Sequence, residues 1–116
     1  MIIALPVDEK SMDARISDNF GRAPFFLICS TVSGEKKFLD HRHVAAQGGS
    51  GVRAAQVLAD HGVKAVITPQ CGVNAEKAFR KAEVLIYQAV PGSIRHNIEA
   101  LKNDQLHLMV EFKARD

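Results

Sequence analysis

Short apolar runs separated by polar loops are the clearest pattern along the chain. Ile2 to Val7 is continuously apolar, which is typical of a strand buried on both faces. Phe25 to Thr31 is a second such run, and Ser33-Gly34 provides a tight turn into Lys36 to Arg42. The first third of the chain therefore predicts a strand followed by a β-hairpin.

Helical and strand patterns alternate in the second half of the chain. Apolar residues recur at helical spacing after Val52, after Asn74 and after Ser93, and the last two are candidate N-caps. Lys64 to Thr68 and Val84 to Tyr87 are apolar runs of strand length that lie between these helices. This alternation predicts parallel strands joined by helical crossovers.

The order of elements predicts an α/β fold with a five-stranded mixed sheet and helices on both faces. Apolar and polar residues alternate from Leu106 to Phe112, so the tail 102–116 is expected to add an edge strand or a partner-facing extension. The length of 116 residues suits one core, and we expect residues 1–116 to form a single domain.

Composition and charge exclude several classes of function. A net charge of +2 and an aromatic content of 6% give little basis for nucleic-acid binding. No apolar run approaches the length of a membrane span, and the N-terminus lacks the basic region of a signal peptide. Two cysteines are too few for a disulfide framework. These features predict a cytoplasmic protein that binds neither nucleic acid nor membrane.

The predicted topology brings several loops to one edge of the sheet. If the second strand is antiparallel to the others, the carboxyl ends of the remaining strands lie beside its start. Ligands of open α/β sheets bind outside the carboxyl ends of strands. We call this edge the strand-end rim, and it comprises Asp8-Glu9, Asn19 to Pro24, His41 to Gly51, Pro69 to Asn74 and Gln88 to Ser93.

One rim segment carries a specific motif. Ile16 to Phe26, with Phe-Gly-Arg-Ala-Pro at its centre, resembles the signature stretch of the dinitrogenase iron–molybdenum cofactor biosynthesis family. The opening strand, the glycine-rich Gly48 to Gly51, the Ala54 to Val63 segment and the Cys71 to Ala75 turn support the resemblance over about residues 1 to 102. The family often has His before Phe-Gly-Arg, and this chain has Asn19, so an imidazole ligand is lost there.

The resemblance implies a ribonuclease H-like fold and a non-enzymatic carrier. Several family members hold an iron–sulfur-based precursor or the finished cofactor during nitrogenase assembly, and the related orange protein holds a molybdenum–copper–sulfide cluster. The implied cargo is an anionic metal–sulfur cluster, of the molybdenum–iron or molybdenum–copper sulfide type, bound non-covalently or by few ligands. The implied partner is a cluster-assembly or cluster-accepting protein.

His41, His43 and Cys71 are the candidate metal ligands. Strand alternation through Arg42 would place both imidazoles on one face, and imidazole suits iron, copper and zinc. Cys71 lies before a helix N-terminus, where the helix dipole favours the thiolate. The alternatives are two solvated histidines and a small residue needed for a tight turn. Cys29 is expected to be buried and inert.

A second group of rim residues suits an anion. Backbone amides of a glycine-rich loop before a helix can surround an anion, although such a loop is equally a flexible connection and a helix cap. Arginine side chains nearby would add charge-assisted hydrogen bonds. The candidate cofactor-binding residues are Asn19, Arg22, Arg42, Gly48, Gly49, Ser50, Gly51 and Arg53.

No catalytic residues are predicted. Two-metal nucleases need several carboxylates at the strand ends, whereas Thr68 to Cys71 contains no acid. The alternative to a cluster carrier is a metal-free regulatory or protein-interaction module of the same fold, and a weak homodimer is compatible with either function.

Overall fold

The computed structural model describes residues 1–46 and 51–110 of the chain, and these residues contain six strands and four helices. The strands are β1 (Ile2–Val7), β2 (Phe25–Ser30), β3 (Lys36–Asp40), β4 (Ala65–Thr68), β5 (Leu85–Gln88) and β6 (His107–Val110). The helices are α1 (Arg42–Ala46), α2 (Gly51–Asp60), α3 (Val73–Lys81) and α4 (Ile94–Lys102). No helix in these two ranges is long and apolar enough to cross a membrane.

All strands of the described ranges form one mixed sheet in the order β3-β2-β1-β4-β5-β6. Strand β2 is antiparallel to β1 and β3, whereas β4 is parallel to β1 and β5. The predicted hairpin and the antiparallel orientation of β2 are therefore confirmed. The direction of β2 places its start beside the carboxyl ends of β1, β4 and β5.

The prediction of five strands is wrong, because the tail contributes a sixth. Strand β6 pairs antiparallel with β5, with Tyr87 opposite Leu108 and Gln88 opposite His107. Leu106, just before β6, is buried in the core. The edge strand expected from the alternation in the tail is thus confirmed, and the ribonuclease H-like assignment stays a prediction.

Two hydrophobic cores lie on opposite faces of the sheet, as continuous apolar strands require. The first core contains Leu58 of α2 and Phe79 of α3, which pack with Phe26 of β2. The second core contains Ile94 and Ile98 of α4, together with side chains of β1, β2 and β4. The prediction of helices on both faces is confirmed.

The chain leaves β3 earlier than predicted. Strand β3 ends at Asp40, whose carboxylate accepts a hydrogen bond from the Arg42 backbone N–H at 2.9 Å. This contact turns the chain into the short helix α1, where a strand end and a loop were expected. The start of α3 also differs, because Gly72 is its N-cap and Asn74 lies inside the helix. Ser93 is confirmed as the N-cap of α4, since its hydroxyl accepts from the His96 N–H at 3.1 Å.

Candidate functional site

Loops from distant parts of the chain meet at the strand-end rim. The Gln70 side-chain amide donates to the Asp18 carbonyl at 3.0 Å and joins the loop after β4 to the loop before β2. The His41 backbone N–H donates to the Pro24 carbonyl at 2.8 Å and joins the end of β3 to the same loop. The convergence predicted from the topology is therefore present.

A cavity of about 320 Å³ opens at this rim. Its described lining comes from three segments: the loop 19–22, the first residues of α2 (Gly51 and Val52) and the segment 72–75 at the start of α3. We call it the rim cavity. An adjoining cavity of about 270 Å³ shares the loop 19–21 and adds Gln70 and Cys71.

Two helices begin at the rim cavity, and their N-termini are close together. A Cβ atom added at Gly51 would lie 3.2 Å from the Cβ of Ala75, so a small residue is needed where α2 approaches α3. The N-cap of α3, Gly72, supplies no side-chain hydrogen bond to the first turn. First-turn N–H groups and the helix dipole favour an anion. The helix starts therefore favour an anion at two walls of the rim cavity, and Glu76 in the first turn of α3 offsets part of this effect.

The loop 19–22 is held in place by contacts with the first core. Phe20 is buried, and its ring packs against Phe26 and Phe79 at centroid distances of 5.1 and 5.2 Å. The Asn19 side-chain oxygen accepts from the Arg22 N–H at 3.1 Å and closes the turn. The Phe-Gly-Arg motif is thus a fixed turn whose Phe enters the first core and whose Gly and Arg line the rim cavity.

The two candidate histidine ligands do not share a face. His41 is 3% exposed and packs edge-to-face on Phe26, with 5.0 Å between ring centroids, whereas His43 lies exposed on α1. The expected shared strand face is wrong, because the strand ends at Asp40. Metal ligation by either histidine stays a prediction.

The pKa of His41 is lowered, and burial of the ring is the main cause. A hydrogen bond with the Gly21 backbone acts in the opposite direction, and the positive charge of Arg53 lowers the pKa further. Asp40 raises it. His41 is consequently a neutral imidazole at pH 7.

Cys71 is partly buried, and its pKa is raised to about 11 by burial and, secondarily, by the negative charge of Glu76. Desolvation of the sulfur opposes the effect expected from the dipole of α3 and favours the thiol, and metal ligation by Cys71 stays a prediction. Its Sγ lies 3.7 Å from the Gly72 carbonyl oxygen, to which it donates a weak hydrogen bond. Cys29 is buried in β2, as predicted.

The candidate arginines differ in their surroundings. Arg22 lines the rim cavity, and Arg53 on α2 is close enough to His41 to influence its ionisation. Arg42 forms a two-point ion pair with Asp40, with contacts of 2.7 and 3.0 Å, and lies over the Phe25 ring at 5.2 Å. Because Phe25 packs against the second core, Arg42 is engaged on the face of the sheet opposite the rim cavity.

Some predicted residues fall outside the site as the structure describes it. Gly48, Gly49 and Ser50 lie outside the described residues. Within residues 1–46 and 51–110, no group of three or more His, Cys, Asp or Glu side chains could hold a metal ion. The cofactor-binding and metal assignments therefore remain predictions, of which Asn19, Arg22 and Gly51 line the rim cavity.

The candidate site residues did not include those at the start of α3, although Val73 and Asn74 fall within the predicted rim. Val73, Asn74 and Ala75 line the rim cavity, and Val73 is 66% exposed. The missing signal was the position of the helix start. A helix that begins after Gly72 presents these three residues at its first turn, whereas an N-cap at Asn74 would leave Val73 in the loop.

Known proteins are similar to this chain in both sequence and fold. The dinitrogenase iron–molybdenum cofactor family matches residues 1–104. An uncharacterized protein of Methanocaldococcus jannaschii is 30% identical over 109 residues, which cover 91% of this chain and 89% of the relative.

Solved structures agree in fold. The apo form of the orange protein from Desulfovibrio gigas superposes with a TM-score of 0.87 at 24% identity, covering 92% of this chain and 91% of that protein; at this identity the likeness concerns the fold alone. A proposed NifB protein from Thermotoga has a TM-score of 0.83 and 28% identity, covering 99% and 98%. Because the family match spans nearly all of the sequence, the chain belongs to the dinitrogenase iron–molybdenum cofactor family.

Proposed function

We propose that the protein is a non-enzymatic carrier that holds an anionic metal–sulfur cluster, or a precursor of one, at the rim cavity. One observation carries the proposal: the N-termini of α2 and α3 and the guanidinium-bearing turn at Arg22 line the same cavity of about 320 Å³. The proposed cargo class is a molybdenum–iron or molybdenum–copper sulfide, and membership of the iron–molybdenum cofactor family supports its molybdenum–iron form.

The electrostatics of the cavity suit an anion held without a full ligand set. Hydrogen bonds to charged groups contribute about 1.5–3 kcal/mol each, so a few amide and guanidinium contacts give useful affinity. Sulfide ligands of a preassembled cluster already complete most of the metal coordination. The protein then needs to add few bonds of its own.

A direct bond from Cys71 would be coupled to proton release. The thiol is protonated at neutral pH, because its pKa is raised to about 11. Ligation of a soft metal requires the thiolate, so binding through sulfur would expel the proton. Cys71 and His43 are the side chains that we propose as additional ligands.

A carrier must also release its cargo to a partner. Val73 is 66% exposed at the wall of the rim cavity, where an apolar side chain gains nothing from an anionic cluster. An accepting protein that covers Val73 would bury apolar surface while it displaces the cluster. We therefore propose that a cluster-assembly or cluster-accepting protein docks over the cavity mouth.

The test compares two arginine substitutions in anaerobic titrations with tetrathiomolybdate and Cu(I), followed by visible absorbance. Arg22→Ala removes a guanidinium from the rim cavity, and we expect affinity to fall about ten- to a hundredfold. Arg95→Ala removes the same charge from α4, on the other face of the sheet, and affinity should not change.

Two outcomes would contradict the proposal. Equal losses in both variants would mean that affinity follows net charge and not the cavity. A wild-type protein that binds neither this mixture nor an iron–sulfur precursor would favour the metal-free interaction module, for which the exposed Val73 is the supporting observation.

A further inference from the structure

We propose that Thr68, at the end of β4, is a positioning residue that holds the loop 69–72 and with it the Cys71 side chain at the wall of the adjoining cavity. The inference rests on the proposed function, since Cys71 is one of the proposed additional ligands of the cluster. Among the described residues that line the two cavities, Thr68 is absent, so its effect on a ligand passes through the loop after β4.

Thr68 is fully buried, and both its backbone and its side chain are engaged. It lies opposite Gln88 in the parallel pairing of β4 with β5, and its carbonyl accepts a hydrogen bond from the Ala89 N–H at 3.0 Å. Its hydroxyl donates to the Gln70 carbonyl at 2.8 Å. The hydroxyl therefore ties the loop 69–72 to a residue that the sheet holds in place.

Packing alone does not account for a hydroxyl at position 68. The other residues of β4 are apolar, and the whole strand is buried. Valine has nearly the shape of threonine and is equally suited to a strand, and it would avoid the free-energy cost of burying a hydroxyl. What valine lacks is the donor to the Gln70 carbonyl, so the benefit of Thr68 lies in that hydrogen bond.

Gln70 extends the restraint across the rim. Its side-chain amide donates to the Asp18 carbonyl at 3.0 Å. The preceding residue, Ser17, donates its backbone N–H to the Pro6 carbonyl of β1 at 2.8 Å, so the acceptor loop is itself held by the sheet. Gln70 is thus fixed through its carbonyl by β4 and through its side chain by the loop before β2.

Cys71 lies between two fixed residues. Gln70 precedes it, and Gly72 follows it, where the Gly72 carbonyl accepts the Glu76 N–H at 2.9 Å as α3 begins. Cys71 packs against the first core, and these three consecutive residues line the adjoining cavity together. Loss of the bond from Thr68 would release the loop at Gln70 and let the sulfur leave its place at the cavity wall.

Four substitutions separate positioning from packing. Thr68→Val keeps the shape of the side chain and removes the hydroxyl, whereas Thr68→Ser keeps the hydroxyl and removes a methyl group. Gln70→Met keeps the length of an exposed side chain and removes its amide donor. Thr31→Val is the matched control, because it removes a hydroxyl that hydrogen-bonds Met1 at the opposite end of the sheet.

Each folded variant is compared with the wild type by the same measurements. NMR relaxation of the metal-free protein gives the order parameters of the Cys71 and Gly72 amides, which report the mobility of the loop. The rate of iodoacetamide modification at a fixed pH reports the accessibility of the Cys71 sulfur. Absorbance titration with tetrathiomolybdate and Cu(I) gives the affinity, and thermal unfolding gives the melting temperature.

We expect Thr68→Val to melt close to the wild-type temperature, to have lower order parameters and faster modification at Cys71, and to bind about two- to tenfold more weakly. Thr68→Ser should melt at a lower temperature because it loses a buried methyl group, while it keeps the loop order and the affinity. Gln70→Met should resemble Thr68→Val in loop order and affinity, and Thr31→Val should match the wild type in both.

Affinity that falls in Thr68→Ser and not in Thr68→Val would overturn the inference, because Thr68 would then act through packing. Wild-type loop order in both Thr68→Val and Gln70→Met would overturn it as well. The metal-free measurements keep the two proposals distinguishable. If the wild type fails to bind the cluster, the proposed function fails, while a more mobile loop in Thr68→Val still supports the positioning role. If the wild type binds and the loop is equally ordered in all variants, the positioning role fails alone.

Discussion

At the strand-end rim, burial influences the ionisation of single side chains more than neighbouring charge does. Desolvation is the main cause both of the raised pKa of Cys71 and of the lowered pKa of His41. Both groups are therefore neutral at pH 7. We therefore expect the attraction of the rim cavity for anions to come from groups that do not titrate near neutrality, namely the backbone amides at the starts of α2 and α3 and the guanidinium of Arg22.

Cys71 should react slowly with alkylating agents at neutral pH. The thiolate is the nucleophile, and a pKa of about 11 leaves a very small thiolate fraction at pH 7. The rate of iodoacetamide modification should rise with pH throughout the range from 7 to 10. Glu76→Gln removes a negative charge that raises the pKa of Cys71, so the rate of Cys71 modification in this variant should rise at lower pH than in the wild type.

The measurement is a pH–rate profile by mass spectrometry, with Cys29 as the internal control. Cys29 is buried in β2 and should remain unmodified until the protein unfolds. A rate for Cys71 that levels off below pH 8 would show that the helix dipole prevails over desolvation.

At the scale of elements, the hydrophobic pattern predicted β1, β2 and β4 well because each of these strands is buried along most of its length. Strand β1 has the predicted bounds, Ile2–Val7, since five of its six residues are buried. Helix α1 escaped prediction because it is only five residues long and depends on one side-chain contact, from Asp40 to the Arg42 N–H. Such a contact leaves no periodic signal in the sequence.

The approach of α2 to α3 depends on Gly51, and substitution there should impair the rim cavity. Gly51→Val places a branched side chain where even a Cβ atom lies 3.2 Å from Ala75. The two N-termini must separate, and overpacking of this kind costs about 1–3 kcal/mol. We expect a lower melting temperature and weaker binding of tetrathiomolybdate and Cu(I).

Gly72→Ala is the matched control, since it also changes a glycine at the cavity wall. A Cβ at Gly72 meets no atom within 4 Å, and its φ of −67° is accessible to alanine. Affinity should stay at the wild-type value, whereas stability should fall by about 0.5–1 kcal/mol because alanine is a poorer N-cap than glycine. If Gly72→Ala lost as much affinity as Gly51→Val, the spacing of α2 and α3 would not be the cause of the weaker binding.

At the scale of the whole molecule, topology made the rim predictable and left its side chains undetermined. The predicted hairpin makes β2 antiparallel to β3, and the convergence of loops 19–24 and 69–74 could be expected on the condition that β2 is also antiparallel to β1. Burial of His41 and engagement of Arg42 by Asp40 could not, because both depend on how the turn after β3 packs. Asn19 and Arg22 were predictable, since they belong to the motif that forms the cavity wall.

The two cores lie on opposite faces of the sheet, and we expect both to contribute to stability but only the first to affect binding at the rim cavity. The first core supports the rim cavity through Phe20, whereas the second core contains α4 and Leu106 and lines no part of that cavity among the described residues.

Leu106 is 8% exposed, so Leu106→Ala should destabilise the fold by about 2–5 kcal/mol. At a temperature where the variant is fully folded, its affinity for tetrathiomolybdate and Cu(I) should equal that of the wild type. Met109→Ala truncates a neighbouring side chain that is 36% exposed, and it should change stability much less. Chemical denaturation measures the free energy of unfolding, and absorbance titration measures the affinity for tetrathiomolybdate and Cu(I). Weaker binding by folded Leu106→Ala would mean that the sheet transmits strain from the second core to the rim, and that stability and cargo binding are not separable in this fold.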